Sequence, residues 1–327
     1  MICRALWLVL FCLCLVPEAK ALWVDKTFTV MGTVARVRLW HDDAKQAEMA
    51  VEAVEREMHR IDAALSPFRP DSELSRVNAH AAKTPIPVSD ELFRLLLQAN
   101  AVSRKTNGAF DVTFSSVGFL YDFRRKKAPD AKTIAQRRPL INYRAIILNP
   151  AKQTVAFAHT GMRIDLGGIA KGYAVDRCIQ LLRQYGVREA LVSAGGDSYA
   201  LGDNFGKLWR IGIQHPRQQD AVIRVLPVKD TAVSTSGDYE RFFIDEHGNR
   251  IHHIINPKTG KPVQGIESVT ILAPNTTLSD ALSTSVFVLG VQKGLTLVES
   301  MPNVSAVIVD SQGNVHYSSD LVSKSVP

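Results

Sequence analysis

Apolar residues recur at helical spacing between Asp43 and Leu65, at Ala47, Val51, Val54, Met58, Ile61 and Leu65. That spacing predicts a long amphipathic helix with one buried face. Ser89 opens a second predicted helix through Lys105, with Glu91 in its first turn and Leu92, Leu95, Leu96 and Ala99 as its apolar stripe. Between Phe28 and Trp40 the period falls to two, which reads as a strand with a tight spot at Met31-Gly32-Thr33. Ala145 to Leu148 and Thr154 to Ala158 read as a hairpin around Asn149-Pro150, and Met162 to Ile164 as a further short strand. Ala174 to Tyr185 reads as an amphipathic helix ended by Gly186. Ala190 to Val192, Leu208 to Ile213 and Val269 to Leu272 read as strands, and Leu278 to Leu289 as a buried helix. Val304 to Val309 and Val315 to Ser318 form a last hairpin around Gln312-Gly313-Asn314. Hairpins and helices are mixed without strict alternation, so the expected fold is α+β with antiparallel sheet, not a doubly wound parallel sheet.

The N-terminus changes the picture of where the chain works. Arg4 is followed by an apolar run, Ala5 to Val16, too short to span a bilayer, and then by Ala19-Lys20-Ala21, an A-x-A site. A secretory signal peptide is expected over 1–21 and one domain over 22–327, giving a periplasmic protein; retention of the segment as an anchor is the alternative. No small residue precedes Cys12 or Cys14 as a lipoprotein box requires, and no twin arginine is present. Cys3, Cys12 and Cys14 belong to this segment, leaving Cys178 alone. That excludes an intramolecular disulfide and a thiolate metal cluster and makes Cys178 a small core residue. The net charge of +7 is spread out apart from Arg124-Arg125-Lys126-Lys127. Such a bias suits an anionic ligand, while an exported location argues against nucleic acid as a partner.

Chemistry concentrates in five stretches. In Asp165-Leu166-Gly167-Gly168-Ile169-Ala170-Lys171-Gly172-Tyr173, glycines and a lysine sit where a loop enters a helix. Small residues let an anion reach backbone N–H groups, the helix dipole favours it, and Lys171 adds a full charge. The stretch is neither a Walker loop nor a Rossmann fingerprint. A tight turn with a surface lysine is the plainer alternative. Ser193-Ala194-Gly195-Gly196-Asp197 follows a strand and either brings backbone close to a ligand or simply turns. Ser234 to Tyr239, which includes Ser236, Gly237 and Asp238, offers hydroxyls to an anion or ribose, or is an ordinary turn or helix cap. His252 to Gly260 puts an imidazole before a Pro-x-x-Gly turn. Asp280 and Thr284 share a helix face in an otherwise apolar segment, where a hard cation would offset the cost of burying a carboxylate. Capping by backbone amides is the alternative for Asp280.

In their order and spacing these stretches resemble the FAD:protein FMN transferases, the ApbE family of flavin-handling enzymes of the bacterial cell envelope. The resemblance runs from Thr29 to Leu289. Its other marks are Met31-Gly32-Thr33, Ser66-Pro67-Phe68, Asp71-Ser72-Glu73-Leu74, Asn78 and Gly108-Ala109-Phe110-Asp111. It implies an α+β fold related to the tunnelling T-fold, with an FAD cleft between subdomains and Mg²⁺ on the pyrophosphate. By position, Met31 and Phe68 are expected to line the cleft, with Phe68 stacking on a ring. Ala109, Phe110 and Asp111 are expected on the adenosine side, and Asp165 and Lys171 near phosphate and ribose. The Gly168 carbonyl, Asp280 and Thr284 are expected to hold the metal, and His253 and Ile254 to face the flavin and the transferred phosphate. The chain departs from the family in continuing Val112-Thr113-Phe114-Ser115-Ser116, in carrying Tyr121-Asp122-Phe123 for a tryptophan, and in having Ser283 where some members place a second metal-binding aspartate.

The reaction so implied splits FAD and joins FMN through its phosphate to a Thr or Ser hydroxyl of an exported or membrane-bound redox protein, releasing AMP. A hydroxyl nucleophile profits from a base. His253 is the first candidate because a free imidazole titrates at about 6.5, and a carboxylate beside the metal, Asp280, is the second. Lys171 and Mg²⁺ would neutralise charge as the phosphorus–oxygen bond breaks. An FAD pyrophosphatase and a non-catalytic FAD carrier remain the alternatives.

Overall fold

The structure, a computed structural model, describes residues 22–218 and 221–322. The expected signal peptide lies outside the described residues. The chain starts with a hairpin of β1 (Leu22–Val30) and β2 (Thr33–His41), then enters α1 (Ala44–Leu65), α2 (Glu73–His80), β3 (Ile86–Pro87) and α3 (Asp90–Lys105). Short helices α4 (Ser115–Gly118) and α5 (Ala131–Arg137) lead to β4 (Ile146–Asn149) and β5 (Thr154–Phe157). Next come α6 (Ala170–Gln184), β6 (Glu189–Ala194), β7 (Asp197–Leu201), β8 (Trp209–Gln214), β9 (Val222–Val228) and β10 (Thr231–Gly237). The short strands β11 (Phe242–Ile244), β12 (Arg250–His252), β13 (Ile255–Asn256) and β14 (Lys261–Pro262) follow. β15 (Ile266–Ala273), α7 (Thr276–Glu299), β16 (Ser305–Asp310), β17 (Val315–Tyr317) and α8 (Ser319–Val322) complete the chain.

Eight strands form one sheet in the order β1-β2-β6-β7-β10-β15-β16-β17, antiparallel at every pairing. The expected α+β class with antiparallel sheet is what forms. Alternate residues divide the sheet between two faces. Ala306 and Ile308 of β16 join the core under α7, whereas Val307 packs with Trp209, Ile213, Leu226 and Val228 of the β8–β9 hairpin on the other face. α1 and α6 cover the rest of the helical face, and the buried stripe of α3 joins the same core.

The first two predicted helices form, each with a side chain capping its N-terminus. Asp43 accepts the N–H groups of Lys45 and Gln46, and Ser89 accepts that of Leu92. The predicted Phe28–Trp40 strand is instead two strands. Met31 and Gly32 both take left-handed φ, 54° and 71°, and turn the chain back on itself. Met162 to Ile164 is not a strand. The Asn78 side chain takes a strand neighbour's place, accepting from Ile164 N at 2.7 Å and donating to Ile164 O at 2.9 Å. Ser234 to Gly237 is strand, not a turn or a helix cap. α7 runs past the expected end at Leu289, through a break at Gly290 with φ 78°. Cys178 is fully buried, as expected, and burial pushes its thiol pKa up.

Candidate active site

The site is built where the N-termini of α6 and α7 cross. α6 begins at Ala170, earlier than the sequence pattern suggests, so Lys171 and Gly172 lie in its first turn. A Cβ at Gly172 would sit 2.2 Å from the backbone oxygen of Thr276, so only glycine permits this approach. One turn on, Asp176 accepts the N–H groups of Thr276 and Thr277 at 2.7 and 2.8 Å, fastening the start of α7 to α6. α7 returns the contact: Asp280 Oδ2 accepts the Gly172 N–H at 2.9 Å. The residue at the N-cap of α6, Ile169, supplies no side-chain cap of its own. The amide expected to receive an external anion therefore receives the protein's own carboxylate.

Lys171 occupies the centre. Its Nζ lies 2.9 Å from Asp197 Oδ2 at the start of β7 and 3.5 Å from Asp280 Oδ2, and it donates to the Gly167 carbonyl at 3.0 Å. Burial would lower the pKa of this lysine, but the two carboxylates outweigh burial and raise it. Asp280 is pushed the opposite way from a normal ion-pair partner. Burial first and Asp197 second raise its pKa, against the pull of Lys171. Two buried carboxylates share one ammonium, and the site is short of positive charge.

Hard oxygen donors surround that deficit. Thr284 follows Asp280 by one helical turn, and a Cβ on Gly168 would stand 3.2 Å from Thr284 Oγ1. The Gly168 backbone thus lies directly against the Asp280–Thr284 face of α7. Ser279 and Ser283 of that helix bond Ser234 and Ser236 of β10, each pair at 2.7 Å, which holds the helix on the sheet. Ser236 Oγ also lies 3.4 Å from Thr284 Oγ1. Among the described residues no three His, Cys, Asp or Glu side chains cluster as metal ligands. A cation here would rely on one carboxylate, one hydroxyl and one carbonyl, a donor set suited to Mg²⁺ or Ca²⁺ with ligand oxygens or water completing the shell. These residues fit such an ion.

The imidazole arrives from the segment after β12. His253 Nδ1 lies 3.3 Å from the Arg241 carbonyl, which can only accept, so the proton sits on Nδ1 and Nε2 is left as acceptor. Burial, then Arg241 and His252, with Lys171 contributing, push its pKa down to about 3. The expectation of a base titrating near neutrality is therefore corrected for the flavin-free site. Asp165 is half-buried and accepts the Gly167 N–H at 2.6 Å; burial raises its pKa against Arg241, Lys171 and Arg163.

Comparison with known proteins places this arrangement. Residues 31–308 match the ApbE family. The chain belongs to the ApbE family. It is 35% identical to the FAD:protein FMN transferase of Treponema pallidum, over 90% of this chain and 86% of that protein. It is 36% identical to that of Haemophilus influenzae, over 82% and 81%. The crystal structure of the ApbE protein from Thermotoga maritima superposes with a TM-score of 0.87 at 32% identity, covering 94% of this chain and 100% of that one. The flavin transferase ApbE from Vibrio cholerae gives 0.82 at 27%, covering 93% and 99%.

Within this ApbE protein not every expected residue converges. Lys171, Gly168, Asp280, Thr284 and Ser236 come together, with Asp165 and His253 electrostatically coupled to Lys171. Phe110 is buried with its ring edge against Gly168, and Ala109 beside it is buried too. Asp111 is no free ligand group: it accepts from Thr113 N and Oγ1 and from Tyr143 N and so holds its own loop. Asp238 is likewise engaged, accepting through both oxygens from Arg217 at 2.6 and 2.7 Å. Gly237 makes room for the Tyr239 ring. The Ile254 side chain is buried in the core under α7. Met31 is half-buried at its hairpin tip, whereas Phe68 is 77% exposed and free for a ring to stack on. Ser283, at the variable metal position, donates to Asp280 O at 2.8 Å as well as pairing with Ser236. Sequence reasoning missed the side chains of Asp197, Asp176 and Arg241, and the packing role of Gly172. Surface hollows of about 390 Å³ along α2 and about 900 Å³ between β9 and the end of α7 involve none of these groups.

Proposed function

We propose that this ApbE protein is an FAD:protein FMN transferase, moving FMN from FAD to a hydroxyl of an acceptor protein. Support comes from the family match together with one observation, the Lys171–Asp197–Asp280 cluster set against the Gly168 backbone and Thr284. A dinucleotide pyrophosphate brings two negative charges, and the site offers a lysine for it and oxygen donors for a cation that travels with it. Gly168 O, Asp280 and Thr284 would hold Mg²⁺, which when bound supplies charge neutralisation on the pyrophosphate.

The chain's own residues divide the remaining work. Lys171 binds phosphate oxygens. Phe68 gives a ring a face to stack on. The acceptor Thr or Ser oxygen forms a bond to the FMN phosphorus as the bond to the bridging oxygen breaks, and that electron pair leaves with AMP. The hydroxyl proton passes to His253 Nε2. An imidazole held at about 3 is a weak base, and the incoming pyrophosphate raises its pKa by opposing Arg241 and Lys171. The base is thus readied by substrate binding.

We place the protein in the periplasm, on the apolar run and A-x-A site at its N-terminus, with exported or membrane-bound redox proteins as acceptors and transient contact with a membrane protein. Incubation with FAD, Mg²⁺ and an acceptor peptide, followed by intact mass, tests the reading. Flavinylated peptide with AMP supports it, free FMN indicates a pyrophosphatase, and unchanged FAD indicates a carrier.

A further inference from the structure

We infer that Lys171 is a built-in stand-in for the divalent cation, and that Asp197 is the positioning residue that keeps it at the site when the cation takes Asp280. The inference rests on the metal donors assigned above and extends them to two residues that do not bind the ion. The lysine ammonium bridges both carboxylates, but unequally: 2.9 Å to Asp197 and 3.5 Å to Asp280. A third bond, 3.0 Å to the Gly167 carbonyl, is independent of Asp280. Asp280 has its own second partner in the Gly172 N–H at 2.9 Å, on the same oxygen, Oδ2. Its Oδ1 takes no hydrogen bond among the described residues. The Lys171–Asp280 link is therefore the loose one, and both groups stay anchored when it parts.

The charge balance explains why such a device is needed. Two buried carboxylates without a cation are costly, and the ammonium covers one of them. A divalent ion reaching Asp280 displaces the ammonium from that carboxylate only. Asp197 then retains Lys171 beside Gly167, next to the oxygens of an incoming diphosphate. Lys171 thus competes with the ion before substrate arrives and assists substrate afterwards. Asp197 limits the competition, because it draws the ammonium away from Asp280.

Calorimetric titration of Mn²⁺ alone into the flavin-free protein tests this. Lys171→Met and Lys171→Gln remove the competitor and should each bind Mn²⁺ more tightly, on the order of tenfold. Asp197→Asn leaves the ammonium to Asp280 alone and should bind Mn²⁺ more weakly by a similar factor. Damage to the fold lowers affinity in every variant, so the opposite signs separate competition from damage. If both lysine variants fail to fold, Asp197→Asn, which keeps the side-chain shape, carries the test only together with a wild-type unfolding transition, because its expected loss of affinity has the same sign as damage. Mn²⁺ affinity unchanged or weakened in a folded Lys171 variant, or unchanged in Asp197→Asn, would overturn the inference. Because no flavin is present, a protein that passes this test yet transfers no FMN would remove the proposed function and leave the stand-in lysine in place.

Discussion

Asp238 and Asp280 are both buried aspartates beside the same sheet, and they do opposite jobs. Asp238 meets Arg217 through both oxygens, with Arg250 at 3.7 Å and Glu267 bonded to the same Arg217 at 3.0 Å. Two guanidiniums balance two carboxylates, and the Arg217–Asp238 pair has planar, bidentate geometry. Around Asp280 two carboxylates share a single ammonium, and the closer contact belongs to Asp197. One cluster is closed and holds loops together. The other is deficient in positive charge and open to a cation. Between these two aspartates, the number of opposing charges per carboxylate, not burial, makes the difference.

The comparison breaks most readily at Asp280. Asp280→Ala should lower FMN transfer by a factor on the order of 10³, read by intact mass of the acceptor, while the protein keeps a cooperative unfolding transition. Wild-type transfer at low Mg²⁺, or loss of the fold, would erase the distinction. His253 extends the contrast, since it lies where cations outnumber carboxylates. His253→Ala should lower transfer at saturating FAD by a factor on the order of 10², with FAD affinity near wild type. Its pH signature has a defined sign. In the free protein the imidazole stays neutral down to about pH 3, so kcat/KM keeps its value to low pH as far as His253 is concerned. Bound pyrophosphate raises the pKa, so the acid limb of kcat should lie at higher pH than that of kcat/KM. Coincident limbs would show that substrate does not ready the base.

Asp238→Ala should act on stability. Loss of the pair leaves Arg217 to Glu267 alone and takes the carboxylate from Arg250, and should cost about 2 kcal/mol in urea unfolding, less than a fully buried pair because Arg217 is a third exposed. A larger effect on transfer than on stability would move Asp238 into the active site. The smallest expected effect is that of Ser236→Ala, which removes one hydroxyl pair and should cost about 1 kcal/mol with a modest change in transfer. A loss of transfer matching that of Asp280→Ala would make Ser236 a ligand-binding group.

Much of this architecture is legible in the chain. α1 and α3 announce themselves through apolar periodicity and through Asp43 and Ser89 as caps, because those signals are local. Gly168, Lys171, Asp280 and Thr284 stand out as small or polar residues where packing alone would select others. The Lys171–Asp197 and Lys171–Asp280 contacts do not, since strand order and a helix crossing decide them over long sequence separations. Asp111 and Asp238 carry the same residue type as Asp280, and only their partners reveal that they are structural. β10 is rich in serine and ends in glycine, so its composition argues for a turn while sheet pairing on both sides makes it a strand.

Those serines impose one more condition. Ser234 and Ser236 are two residues apart on a strand, a rise of about 6.6 Å, and Ser279 and Ser283 are four apart on a helix, about 6.0 Å. The two rulers agree only in one alignment. A slip of β10 by a single residue would swing both hydroxyls to the opposite face and leave Ser279 and Ser283 of α7 facing Val233 and Thr235. The paired hydroxyls therefore act as a checksum on strand register. A chain that folds with the wrong alignment cannot satisfy both, and it loses the seat of Asp280 and Thr284 at the same time.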